Sequence, residues 1–272
     1  MDREKVTLTG APETMLATLY GRAVDSRRPQ SVLHDHAAAE AVSRIDYDFR
    51  KTRMNTTSSV GVAIRAKLLD TWTTDFLKTN PSATVLHLAC GLDTRAQRIA
   101  PGPSVRWFDV DYPDVVSLRS KLLTPPDGDY HLIGSSVTAQ NLLSVVPADR
   151  PTVAVFEGLT MYLTQDEGQD LIRRITSHFP SGQLLFDVYG TMGIKLQKLV
   201  PAVRNANATL HWGVDSPDEI LALHPGMRCL DDRRSTDLPD LDKLPFFGRL
   251  NLRLVDRIPK LRDVGRIMRL EF

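Results

Sequence analysis

A chain of 272 residues is long enough to bury the core of one large domain. Its 42% hydrophobic and 25% charged residues fall in the globular range, which excludes a disordered or fibrous chain. Lys+Arg 34 against Asp+Glu 33 leaves a net charge of +1, which argues against a basic field that would draw the chain to nucleic acid.

The two cysteines, Cys90 and Cys229, are too few for a disulfide framework and read as reduced thiols. The opening Met1-Asp2-Arg3-Glu4-Lys5 lacks the apolar core of a secretory signal. Nowhere do about 18 apolar residues run consecutively, so no membrane helix is expected and a cytoplasmic location is.

In chain order, residues 1–80 read as a helical segment. Pro12 suits a first helical turn, and Met15, Leu16, Leu19 and Ala23 follow on one face. A second helix is expected over 36–49, with Ala38, Ala41, Val42 and Ile45 inward. A third is expected over about 60–78. At about 100° per residue, Ile64, Leu68, Leu69, Trp72 and Phe76 fan across one apolar face, and Lys67, Asp70 and Lys78 fall opposite. Arg65 points into the apolar face, where a guanidinium is costly unless it meets an anion.

Residues 81–189 change rhythm. Apolar runs at Val85–Ala89, Val105–Asp109, Tyr130–Gly134, Thr152–Glu157 and Leu184–Val188 alternate with crossover-length segments. That pattern predicts a doubly wound α/β fold with a mostly parallel sheet. Residues 190–272 are punctuated by prolines and carry candidate strands at Met227–Leu230 and Arg266–Glu271. They are expected to complete the sheet within the same single domain and to supply substrate-facing elements.

Ligands of such sheets bind beyond the carboxyl ends of the strands, where strand order reverses. The first strand breaks at Ala89-Cys90-Gly91, whose small residues let a ligand approach the backbone. A dinucleotide pyrophosphate would ask for three glycines there. This turn has one, followed closely by Asp93, a charge that suits a cationic ligand. The second strand ends Trp107-Phe108-Asp109-Val110-Asp111, about 20 residues on, the spacing of an acid that holds ribose hydroxyls. Asp111 stands further out than Asp109, and capping of the next helix is its alternative role. Ser136-Val137 ends the third strand, and Glu157 closes the fourth beside Gly158. Tyr162 and Tyr189 follow the fourth and fifth strands and face a candidate substrate pocket.

The runs Leu88–Arg95 (LACGLDTR), Trp107–Pro113 (WFDVDYP) and Glu157–Leu163 (EGLTMYL) resemble the leucine carboxyl methyltransferase family, particularly its polyketide-biosynthesis O-methyltransferase branch. The opening Leu8–Thr14 and the later Trp212–Pro217 resemble that branch too. The resemblance implies a seven-stranded, Rossmann-like class I methyltransferase sheet with an N-terminal helical cap. It also implies methylation of a carboxylate or hydroxyl with S-adenosyl-L-methionine (SAM). Arg65 then matches an arginine on the SAM carboxylate and Arg22 a second basic contact. Ala89, Gly91 and Asp93 form the cofactor turn, and Asp111 is the ribose acid. Ser136 and Val137 flank adenine, and Glu157 lies below the cofactor.

Methyl transfer from a sulfonium needs mainly alignment and exclusion of water. A carboxylate acceptor needs no base, and no catalytic base is assigned, although His211 and His224 are unplaced histidines. A small-molecule acceptor is expected, with a protein C-terminal carboxylate or a catalytically silent SAM-binding protein as alternatives. The basic residues of 245–272 read either as a solvated helix face or as a lip for an acidic partner.

Overall fold

The computed structural model describes residues 3–6 and 10–272, so Leu8 and Thr9 of the opening motif lie outside the described residues. Strand β1 (Glu4–Lys5) precedes helix α1 (Ala11–Ser26), which carries its proline in the first turn and buries Leu16, Leu19 and Ala23. Helix α2 (His36–Ser43) starts on Asp35, whose side chain accepts from the Ala38 amide. It is shorter than its periodicity suggests. Arg44 stops it by donating to the Lys121 and Leu122 carbonyls, and strand β2 (Ile45–Asp46) then pairs in parallel with β1. Ile45 is buried as expected, but from a strand.

Helix α3 (Thr56–Thr79) begins on an Asn55 cap and buries Ile64, Leu68, Leu69, Trp72 and Phe76, the predicted face. Asp70 is a correction. It turns from solvent to accept from Arg95 and Arg98. The alternating segment follows as strand β3 (Thr84–Leu88), helix α4 (Arg95–Ile99), strand β4 (Arg106–Asp111), helix α5 (Pro113–Leu122) and strand β5 (Asp129–Gly134). Strand β6 (Thr152–Phe156), helix α6 (Gln165–His178) and strand β7 (Gly182–Tyr189) complete it. Helix α6 opens with a capping box between Thr164 and Glu167, so its first turn is satisfied at both backbone and side chain.

The last third adds helices α7 (Thr191–Lys195), α8 (Pro201–Asn205) and α9 (Pro217–Leu221), strand β8 (Arg228–Arg234), helices α10 (Phe246–Asp256) and α11 (Pro259–Arg262), and strand β9 (Gly265–Glu271). Here the predicted strand at Met227–Leu230 is longer, carried past a bulge between Cys229 and Asp231.

The seven-stranded sheet has the order β5-β4-β3-β6-β7-β9-β8. Its first five strands run parallel, β9 runs antiparallel beside β7, and β8 pairs antiparallel with β9 and so runs with the other five. Alternation decides the layers. Leu86, Leu88, Phe156 and Phe186 pack under α6 on one face, while Val85, Val153, Val155 and Leu185 meet Leu69, Trp72 and Phe76 of α3 on the other. Helix α6 approaches closely enough that a Cβ on Gly168 would fall 2.1 Å from the Trp212 ring. The order reverses between β3 and β6, and the cleft opens at their carboxyl ends. Helices α1 and α2 pack beside α5 and cap it. Among the described residues no helix is long and apolar enough to cross a membrane.

Candidate active site

The first strand ends abruptly because Ala89 takes φ 50° and Gly91 φ 48°. Left-handed backbone is easy for glycine and costs alanine about 1 kcal/mol, so the turn stores a little strain at its first corner. At Gly91 the positive φ disfavours a side chain, and an added Cβ would crowd that of Met15 at 3.2 Å. The turn is tied to the neighbouring strand by the Cys90 amide, which donates to the Val110 carbonyl at 3.1 Å.

Asp111 is held at the end of β4 with both oxygens in use. Oδ2 accepts from the Gly91 amide at 2.7 Å and Oδ1 from the Tyr112 amide at 2.7 Å. The next helix takes Tyr112 as its cap with no side-chain bond, so Asp111 braces the turn and does not cap α5. Burial raises its carboxyl above the usual range, and the two amides offset only part of that. Asp109 has a different fate. Fully buried, it accepts from Trp107, Arg119 and Tyr130 and contacts His87, which holds its carboxyl well below the usual range against its own burial.

Beneath the turn lies a lattice of buried charge. Asp93 pairs with Arg98 at 2.8 Å and with Arg95 at 3.1 Å, with Arg22 at 4.0 Å. Glu157 pairs with Arg95 at 2.7 Å and with Arg65 at 2.9 Å, and Arg65 reaches Asp187 at 2.9 Å. Burial opposes ionisation of Asp93 and Glu157, but the surrounding guanidinia outweigh it and hold both carboxyls below their usual ranges. Burial dominates at Asp187, whose carboxyl is raised despite Arg65. Arg22 is committed to Asp35 at 3.1 Å and to the Leu92 carbonyl at 3.1 Å, so it supports the turn from behind. Asp93 therefore meets a ligand as a neutralised carboxylate, not as the bare charge its sequence position suggests.

Of these groups Arg22, Arg65, Asp93 and Glu157 line one cavity of about 390 Å³, together with Asp111, Ala89, Gly91, Tyr162 and Tyr189. Ser136 and Val137 are not among its lining residues. The Val137 side chain is 6% exposed within the core, and the Ser136 hydroxyl is 2.7 Å from that of Thr138. Pro113 closes over the end of β5, where a Cβ on Gly134 would lie 3.3 Å from its Cα, and the half-exposed Tyr112 beside it faces the cavity instead. Tyr112 and Val115 are thus lining residues that the sequence reading missed. Their signal was the step from a strand-end acid into a Pro-started helix, whose first turn must face whatever the strand end faces. Arg95 was also missed, because its partners come from three separate elements.

Away from the turn the cavity is mostly apolar, with Val62, Met161 and Leu210 and with Pro201–Val203 of α8. His87 lines it but is 1% exposed and engaged by Asp109 at 2.8 Å. His211 and His224 do not line it, nor do Arg249, Arg253 and Arg257 on and just after α10. Burial raises the Tyr162 hydroxyl to about 12 and pushes that of Tyr189 up as well.

A parallel sheet with its switch point between β3 and β6, a one-glycine turn and an acid at the end of β4 define the Rossmann-like class I methyltransferase fold. The sequence profile described as leucine carboxyl methyltransferase matches residues 15–176, more than half of the chain, and the chain belongs to that family. It is similar to the tetracenomycin polyketide synthesis O-methyltransferase TcmP of Streptomyces glaucescens, with 42% identity over 99% of both chains. It is also similar to the SAM-dependent methyltransferase dpfgK of Gibberella zeae, with 39% identity over 92% of this chain and 90% of the relative. In fold it resembles the crystal structure of a DUF574 family protein from Streptomyces avermitilis, with TM-score 0.57, 15% identity and coverage of 92% and 96% of the two chains.

Proposed function

We infer that this chain is a SAM-dependent O-methyltransferase of specialised metabolism whose acceptor is the carboxylate of a small, largely apolar molecule. The observation that carries the acceptor class is the lining of the cavity. Among the described residues it presents no free group that titrates near neutrality, since His87 is sealed and the tyrosine hydroxyls are raised. A hydroxyl acceptor gains from a base. A carboxylate is already ionised and asks only for alignment.

The residues present fit SAM by the chemistry of their donors and acceptors. The ligand carries a carboxylate, an amine, a sulfonium and a ribose diol, and no phosphate. Asp111 is fixed to accept from the diol, and the strained, nearly bare turn Ala89–Gly91 leaves the backbone open to the methionine portion. Arg65 is 20% exposed between Glu157 and Asp187, placed for the ligand carboxylate, with Glu157 below it for the amine. Tyr112 and Val115 offer the apolar surface for adenine, with Ser136 and Val137 behind the end of β5 as outlying flank residues. When bound, SAM supplies a methyl group activated by its sulfonium. The protein holds the acceptor oxygen in line and keeps water out with the apolar wall of α8. A carboxylate acceptor would need no proton taken from it, so the residues of the cavity would have only to align it.

The test is transfer of labelled methyl from SAM to a panel of polycyclic aromatic acids and the matching phenols. Label released from the product by mild alkali marks an ester and supports this reading. Alkali-stable label on the phenols would overturn it.

A further inference from the structure

The cavity is lined by three arginines. Arg22 is committed to Asp35, and Arg65, paired with Glu157 and Asp187, is the one assigned above to the cofactor carboxylate. Arg53 has neither commitment. Its guanidinium makes no hydrogen bond or ion pair with any described residue, although it lines the cavity and stands exposed where the cavity opens. An exposed guanidinium is solvated and so is available to a ligand, and it presents a rigid fork that matches a carboxylate.

The backbone around Arg53 is built to hold that position. A short 3₁₀ turn, Phe49–Thr52, starts on Asp48 and ends at Arg53 in the left-handed region, φ 52°. The Arg53 amide donates to the Arg50 carbonyl, and Thr52 Oγ1 donates to the Phe49 carbonyl at 2.7 Å. The turn is clamped from two sides. Phe49 stacks on Tyr20 of α1 with ring centroids 4.9 Å apart, and Asn205 of α8 donates to the Lys51 carbonyl at 2.6 Å. Two residues further on, Asn55 caps α3. Arg53 thus joins a left-handed backbone position held by its neighbours to an unpaired guanidinium on a residue that lines the cavity.

We propose that Arg53 is the specificity-determining anion receptor for the acceptor, pairing with one oxygen of its carboxylate while the other faces the methyl group and the apolar body lies against Met161, Val203 and Leu210. This rests on the carboxylate reading given above. Arg53 acts on binding and orientation. It exchanges no proton, and the bond-making step remains between the acceptor oxygen and the methyl carbon.

The experiment titrates protein saturated with S-adenosylhomocysteine (SAH) with 2-naphthoate and with the neutral, isosteric 2-naphthamide. The wild type is expected to favour the carboxylate by about tenfold or more, the scale of a charged hydrogen bond. Arg53→Gln is expected to lose that preference and Arg53→Lys to keep part of it, with SAH affinity unchanged in both. A preference retained by Arg53→Gln would overturn the role of Arg53 and leave the carboxylate reading intact. A wild type that binds neither probe, or prefers neither, would overturn both.

Discussion

Two neighbouring acids, Asp109 and Asp111, show how little a residue type says without its partners. They lie two apart on one strand, yet Asp109 is closed in by four side chains while Asp111 offers its carboxylate to the cavity. Because the Asp111 carboxyl is raised, a ligand held by its ionised form is lost as pH falls, beginning above the ordinary aspartate value of about 3.9. SAH affinity should therefore weaken in the wild type as pH is lowered from 7 towards 4 and stay flat in Asp111→Asn, which should bind ~1.5–3 kcal/mol more weakly at pH 7. Arg65 was legible from the helical wheel as a buried cation in need of an anion. That Asp187 is a second partner beside Glu157 was not, because it lies 122 residues away. Arg65→Ala would leave Asp187 with only the Gly158 amide, and should cost ~3–5 kcal/mol in denaturant unfolding. Adding Asp187→Asn should recover part of that loss. A loss confined to cofactor affinity would show that the pairs contribute nothing to the fold.

At the scale of elements, periodicity located helices and strands well where packing obeys one face. It failed where a local bond overrides it. Arg44 ends α2 on the Lys121 and Leu122 carbonyls, far along the chain, and no pattern within 36–49 could show that. The central strands β3, β4, β6 and β7 were readable because both faces are buried, whereas β8 is exposed along much of its length and carries five charged residues, so its register was not. Helix α6 gives a clean test of close packing. Gly168→Val forces atoms into the Trp212 ring and should cost ~1–3 kcal/mol by overpacking, with Trp212→Ala in the same chain restoring part of it. Helix α8 belongs to the acceptor wall. Asn205→Ala frees it from the Lys51 carbonyl and should raise KM for the acceptor severalfold while SAH affinity holds. A parallel change in both would assign α8 to the cofactor side.

For the whole molecule, the cleft is a consequence of topology, and its charges are a consequence of packing. The strand order places the ends of β3, β4 and β6 together, and the sequence was sufficient to read that arrangement from alternating apolar runs. The lattice of Arg22, Arg65, Arg95 and Arg98 with Asp35, Asp70, Asp93, Glu157 and Asp187 was only partly legible, since it draws at once on α1, α3, α4 and β7 and on the connections that carry Asp35, Asp93 and Glu157. Glu157 is a paired acid with a lowered carboxyl, so its stabilising contribution is complete above the ordinary glutamate value of about 4.3 and fades as pH falls through the lowered one. The stability gap between the wild type and Glu157→Gln should then be constant from pH 7 to 5 and narrow below about 4. The central claim is that this cleft holds a SAM-type ligand on Asp111 at the turn Ala89–Gly91. Calorimetry with SAH and with NAD tests it most directly. One-to-one binding of SAH, at least tenfold weaker in Asp111→Asn, with no NAD binding, is the predicted result. Binding of NAD without SAH, or SAH binding unchanged in Asp111→Asn, would contradict it.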